Sequence, residues 1–116
     1  MDDVQEFAGK LFDLARAGDL TLVDYIKEGV APNLVNQNGD SFLMLAAYNG
    51  HAPLVRALIQ AGADVNLLND RGQSPVAGAL FKKEDEVVAA LREAGADVDA
   101  GTPSAREMAQ LFGIEL

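Results

Sequence analysis

Apolar residues recur along the chain at helical spacing in short blocks, and each block closes on a glycine. In the first, Val4, Phe7, Ala8, Leu11, Phe12 and Ala15 follow the stripe of an amphipathic helix. Asp3, with Glu6 three residues on, has the form of a capping box, and Gly18 marks the end. A second helix is predicted from about Asp19 to Glu28, with Leu22, Val23 and Ile26 inward and Gly29 as its stop. Val30 to Asn36 is a connector stiffened by Pro32.

The middle of the chain repeats this alternation with a turn added in front. Asn36-Gln37-Asn38-Gly39 carries Asn at the first and Gly at the fourth position, as a type I turn prefers. Ser41 can cap the next helix, whose Leu43, Ala46 and Ala47 share a face, and Gly50-His51 breaks it. Pro53 suits the first turn of a helix with Leu54, Val55, Leu58 and Ile59 inward, and Gly62 stops it.

Most of this unit returns at a fixed offset. Asn36 and Asn69, Gly39 and Gly72, Ser41 and Ser74, Ala46 and Ala79, Val55 and Val88, Leu58 and Leu91, and Gly62 and Gly95 are each 33 residues apart. Ala63 to Gly72 should form a projecting hairpin, and Ser74-Pro75 starts a helix that Gly78 weakens by about 1 kcal/mol relative to Ala. Lys82 to Glu86 is a charged loop and helix start, with Asp85 and Glu86 favourable to the helix dipole and Val87, Val88 and Leu91 inward. The last unit is shorter, since Ser74 and Ser104 are 30 residues apart. There Thr102-Pro103 is expected to cap a helix holding Ala105, Met108, Ala109 and Leu111, stopped by Gly113. Ile114 and Leu116 either fold back over that unit or fray. Seven helices result, and two helices and a turn cannot bury such stripes alone, so the units must stack.

A 33-residue period built on NGDSFLMLAAYNGHAPLVRALIQAGADVN resembles the ankyrin repeat. The resemblance implies an all-α solenoid of stacked helix pairs with projecting β-turn hairpins. Its expected units are a capping repeat at 1–34, repeats at 35–67 and 68–100, and a truncated capping repeat at 101–116. The family's T-P-L-H-x-A-A opening stands here as Ser41 to Ala47 and Ser74 to Leu80, and neither copy keeps the histidine. With Phe42, Met44 and Ala77 in place of family residues, part of the usual hydrogen bonding between repeats is expected to be missing. The family's G-H is intact at Gly50-His51 and becomes Lys83-Glu84 one unit on.

Composition narrows the function. The chain of 116 residues makes one domain, able to bury roughly two-thirds of its unfolded surface. It has no cysteine, so neither disulfides nor thiolate metal sites are available. An acidic start and the absence of a long apolar run make the cytoplasm the expected compartment, with no membrane contact. A net charge of −9 opposes binding to nucleic acid.

No catalytic constellation stands out. His51 is the one histidine, and its place in a repeat loop accounts for it as a neutral imidazole bonded to backbone. Ser41, Ser74 and Ser104 are each taken up as helix caps, and no G-x-S-x-G elbow is present. Asp64-Val65-Asn66 and Asp97-Val98-Asp99 lack the further oxygens, the glycine and the closing glutamate of a calcium loop. Neither an enzyme nor a cofactor is expected. In ankyrin repeats the contact surface is usually the concave side, made by hairpin tips and the ends of the inner helices. Carried onto this chain, the resemblance implies a protein-binding surface of Gln37, Asn38, Asp40, Tyr48 and Asn49 from one unit. The next contributes Leu68, Asp70, Arg71, Gln73, Phe81 and Lys82. Tyr48 and Phe81 occupy equivalent positions and would anchor a partner, unless both rings turn inward between the helices. The expectation is a monomer that binds another protein; the alternative is an acidic inhibitor or decoy covering a basic surface.

Overall fold

The helix signals translate almost one for one into structure. The computed structural model describes residues 3–116, and among them seven helices follow one another: α1 (Asp3–Ala17), α2 (Thr21–Lys27), α3 (Phe42–Tyr48), α4 (Ala52–Gln60), α5 (Pro75–Phe81), α6 (Asp85–Glu93) and α7 (Ala105–Phe112). Helices α1, α3, α5 and α7 pack in sequence as one row, while α4 and α6 pack side by side behind it. The result is an elongated stack measuring 46 × 24 × 19 Å. Its core runs lengthwise through buried residues such as Leu11, Leu22, Leu43, Leu54, Leu58, Val76, Leu91 and Ala105.

Serine caps set the phase of the inner row. The hydroxyls of Ser41, Ser74 and Ser104 accept from the backbone N–H groups of Met44, Ala77 and Glu107, so α3, α5 and α7 start at the same place in each unit. For α7 this decides between the two expected caps, Thr102-Pro103 and Ser104, in favour of Ser104. Ser104 forms a full capping box with Glu107, which satisfies two orphan N–H groups. Helix α2 likewise begins at Thr21 rather than Asp19. The Asp19 carboxylate accepts from both the backbone N–H and the hydroxyl of Thr21, bonds that hold its carboxyl below the ordinary aspartate range. Asp3 lies within α1 together with Glu6, as first-turn charge, and the residue before it is outside the described range.

Between the units the backbone turns without extended strands. The first hairpin closes through a single antiparallel bridge between Val35 and Ser41, and Asn36 N–H donates to the Asp40 carbonyl. The second closes through the equivalent Asn69 N–H to the Gln73 carbonyl. At the far end Leu116 is half-buried against the core, while Ile114 stays exposed.

The residues that replace the family pattern find their own partners. Phe42 is completely buried and its ring lies 4.8 Å from that of Phe12, an aromatic contact joining the first unit to the second. Met44 and Ala77 are buried as apolar packing. Polar ties between units come from elsewhere. The His51 Nε2 donates to the Arg16 carbonyl at 2.7 Å, in agreement with a structural imidazole. Asn33 Oδ1 accepts from Asp64 N–H and Asn66 Oδ1 from Asp97 N–H, the same rung one repeat apart. Gly18 is required here, because its φ is +73° and a Cβ would lie 2.5 Å from the His51 ring.

Two substitutions probe this frame by thermal or denaturant unfolding. Leu58 has no exposed surface, and Leu58→Ala is expected to cost about 2 to 5 kcal/mol through lost burial and a cavity. Lys83 holds a φ of +59° where its counterpart Gly50 holds +78°. Lys83→Gly should therefore stabilise the protein by about 0.5 to 1 kcal/mol by removing left-handed strain, even with the loss of the ammonium 5.7 Å from the exposed Phe112 ring.

Candidate protein-interaction surface

The surface begins with the last residues of two inner helices. Because α3 and α5 start on equivalent serine caps and have equal length, Tyr48 and Phe81 end them at the same helical angle. Both rings face solvent, with Tyr48 42% and Phe81 53% exposed, so the inward alternative does not hold. The Lys82 ammonium sits 5.0 Å over the Tyr48 ring, an attraction across the two units.

Two grooves meet at Tyr48. The first, about 310 Å³, runs toward the hairpins and is lined by Asn38, Asp40, Met44, Leu45, Tyr48, Asn69, Arg71 and Gln73. The second, about 270 Å³ and mainly apolar, is lined by Met44, Tyr48, Gln73, Ala77, Gly78, Phe81, Pro103 and Met108. Met44, Tyr48 and Gln73 belong to both.

Asparagine side chains hold the polar half in shape. Asn36 Oδ1 accepts from the N–H groups of Asn38 and Asp40, and Asn69 Oδ1 from those of Arg71 and Gln73. The Asn69 amide then donates to the carboxylate of Asp40 and the side-chain oxygen of Gln73, while Asp70 N–H bonds the Asn38 carbonyl. These bonds fix one hairpin against the next before any partner arrives.

Of the expected residues, Asn38, Asp40, Tyr48, Arg71, Gln73 and Phe81 line these grooves. Asp40 is half-buried and already bonded to Asn69, so it positions the hairpins as well as facing the groove. Asn49 caps α3 and donates to the Leu45 carbonyl, and Gln37 belongs to a separate cleft with Val35, Asn36 and residues of α1. Leu68 and Asp70 are exposed beside the second hairpin. Sequence reasoning missed Leu45, Pro103 and Met108 as lining residues, and treated Gly78 only as a weak point of its helix. The periodicity carried the signal, since Leu45 and Gly78 are 33 residues apart and Gly78 and Met108 are 30.

Among the described residues no group of His, Cys, Asp and Glu could hold a metal ion, and no helix is long and apolar enough to cross a membrane.

Comparison with known proteins bears on most of the stack. A family model described as ankyrin repeats, in three copies, matches residues 11–102. The ankyrin repeat protein PA3287 of Pseudomonas aeruginosa is 53% identical over 55 residues, a match covering 47% of this chain and 32% of that protein. The crystal structure of the human ASB11 ankyrin repeat domain is similar at a TM-score of 0.71 and 35% identity, covering 76% of this chain and 40% of that one. The chain thus spans about a third of the curated relative and under half of the human chain.

Tyr48→Ala removes an exposed ring and its contact with Lys82, so it should cost under about 1 kcal/mol in unfolding free energy. A loss as large as that expected for Leu58→Ala would mean that Tyr48 belongs to the core.

Proposed function

The chain belongs to the ankyrin-repeat family, and from that premise we propose a non-enzymatic module that binds one partner protein through its concave, hairpin-bearing face. The observation that carries this reading is the pair of exposed rings at equivalent positions, Tyr48 and Phe81, bordering a mainly apolar groove. Ankyrin repeats generally act as protein-interaction modules, and exposed aromatics beside a pre-formed polar rim have the composition of a binding hot spot. Rigid asparagine-locked hairpins support the same reading, because a surface ordered beforehand loses less entropy on association.

The energetics separate two kinds of partner. An interface anchored on rings draws on desolvation and changes little with salt, whereas an acidic decoy would depend on charge and weaken steeply. Affinity capture from a cell lysate, with wild type and a folded Tyr48→Ala/Phe81→Ala variant at about 50 and about 300 mM salt, distinguishes them. A partner held by the wild type at both concentrations and lost from the variant is the expected result. A partner retained by the variant but released by salt would overturn the aromatic site in favour of the acidic alternative.

A further inference from the structure

The inner helices present two rows of equivalent side chains on this face. One row reads Tyr48, Phe81 and Leu111, which ends as an 81% exposed leucine. The other reads Leu45, Gly78 and Met108, and the middle place is empty. Gly78 is not held there by backbone geometry, because it lies within α5 with no positive φ. A Cβ added to it would meet the Tyr48 ring at 3.5 Å and the Met44 sulfur at 3.9 Å, ordinary contact distances. Packing would therefore accept alanine, and helix propensity would favour it. What the glycine provides is an open place on the wall of the mainly apolar groove of about 270 Å³, bounded by Met44, Tyr48, Phe81 and Met108.

The charge around this place is also selective. Arg71 lines the adjoining groove and Lys82 lies over Tyr48, and neither forms an ion pair among the described residues. The carboxylate lining the same grooves is that of Asp40, which already accepts from Asn69. The net charge of −9 does not cancel this pattern, since at physiological salt charges beyond about 8 Å are largely screened and a bound segment senses its neighbours.

Resting on the proposed concave-face binding, the geometry points to a specific occupant: an extended acidic segment of the partner that inserts one aliphatic side chain over Gly78. Its carboxylates meet Arg71 and Lys82, and its backbone lies along the exposed row of Tyr48, Phe81 and Leu111. Gly78 then sets specificity, admitting a leucine-sized group where the preceding repeat supplies its own Leu45.

The test is titration of the ¹⁵N-labelled protein, followed by amide shifts, with the peptide Gly-Asp-Asp-Leu-Asp-Asp-Gly. Two control peptides replace its leucine by alanine or its aspartates by lysines. The expected result is saturable shifts at Gly78 and Phe81, with affinity weakened roughly tenfold by the alanine peptide and by Gly78→Leu, as fits loss of one partly buried aliphatic group. Gly78→Ala, which should have a Tm at or above that of the parent, serves as a folded control of intermediate affinity. Equal or tighter binding of the lysine peptide overturns the proposal, and so does binding indifferent to Gly78→Leu. If the acidic peptide leaves the groove unshifted while capture still depends on Tyr48 and Phe81, this inference fails alone. If that dependence is absent too, the concave-face reading fails with it.

Discussion

No helix pair in this chain can bury its own apolar stripe, and the rest of the structure depends on that deficit. The helices span 7 to 15 residues, lengths at which an isolated helix is marginal in water. Each is held because α1, α3, α5 and α7 cover one another in a row and α4 and α6 close the back. Residues such as Leu54, Val55 and Leu58 have no exposed surface, and each is worth roughly 1.5 to 3 kcal/mol of burial. The bonds between units, from His51 to Arg16 and from Asn33 and Asn66 to the next backbone, contribute about 1 kcal/mol net apiece. Burial supplies the energy, and the polar rungs decide the register in which it is gained.

Much of this was legible because a repeat states its own alignment. The 33-residue offset located the serine caps, the glycine stops and the inward leucines, and from these the helix order follows. Two boundaries were left open for a local reason. Helix α2 starts without a side-chain cap while the Asp19 carboxylate bonds Thr21, and at α7 Ser104 prevails over Thr102-Pro103 through its capping box with Glu107, geometric matters that residue type alone does not decide. The contact of Phe12 with Phe42 escaped for a different reason. It joins an irregular first unit to a regular second one, where no periodic counterpart exists to signal it. Whether Tyr48 and Phe81 faced in or out was equally hidden, since a residue ending a helix can turn toward either side of the stack.

Two groups of residues differ in what accounts for them. Phe42, Met44 and Ala77 are buried, Phe42 against the Phe12 ring, so their account is stability. The other group lies on the hairpin-bearing face, and stability does not explain it. Exposed Tyr48, Phe81 and Leu111 leave apolar area in water, and Gly78 gives up helix propensity that alanine would supply without a clash.

Lys83 belongs to neither group. It occupies a left-handed position that its counterpart Gly50 fills without strain, yet its ammonium reaches the ring of Phe112 at the end of the stack. An exposed attraction of this sort is worth well under the strain it accompanies, so the contact follows from the conformation and does not cause it. The same comparison of magnitudes applies to the grooved face. The Lys82 ammonium over Tyr48 is too exposed to hold two repeats together, while the buried rows behind it do so many times over. Freed from any structural duty, the cation and the ring can exchange each other for a partner's carboxylate and side chain at little cost to the fold, which is the physical condition for a surface that binds without unfolding its support.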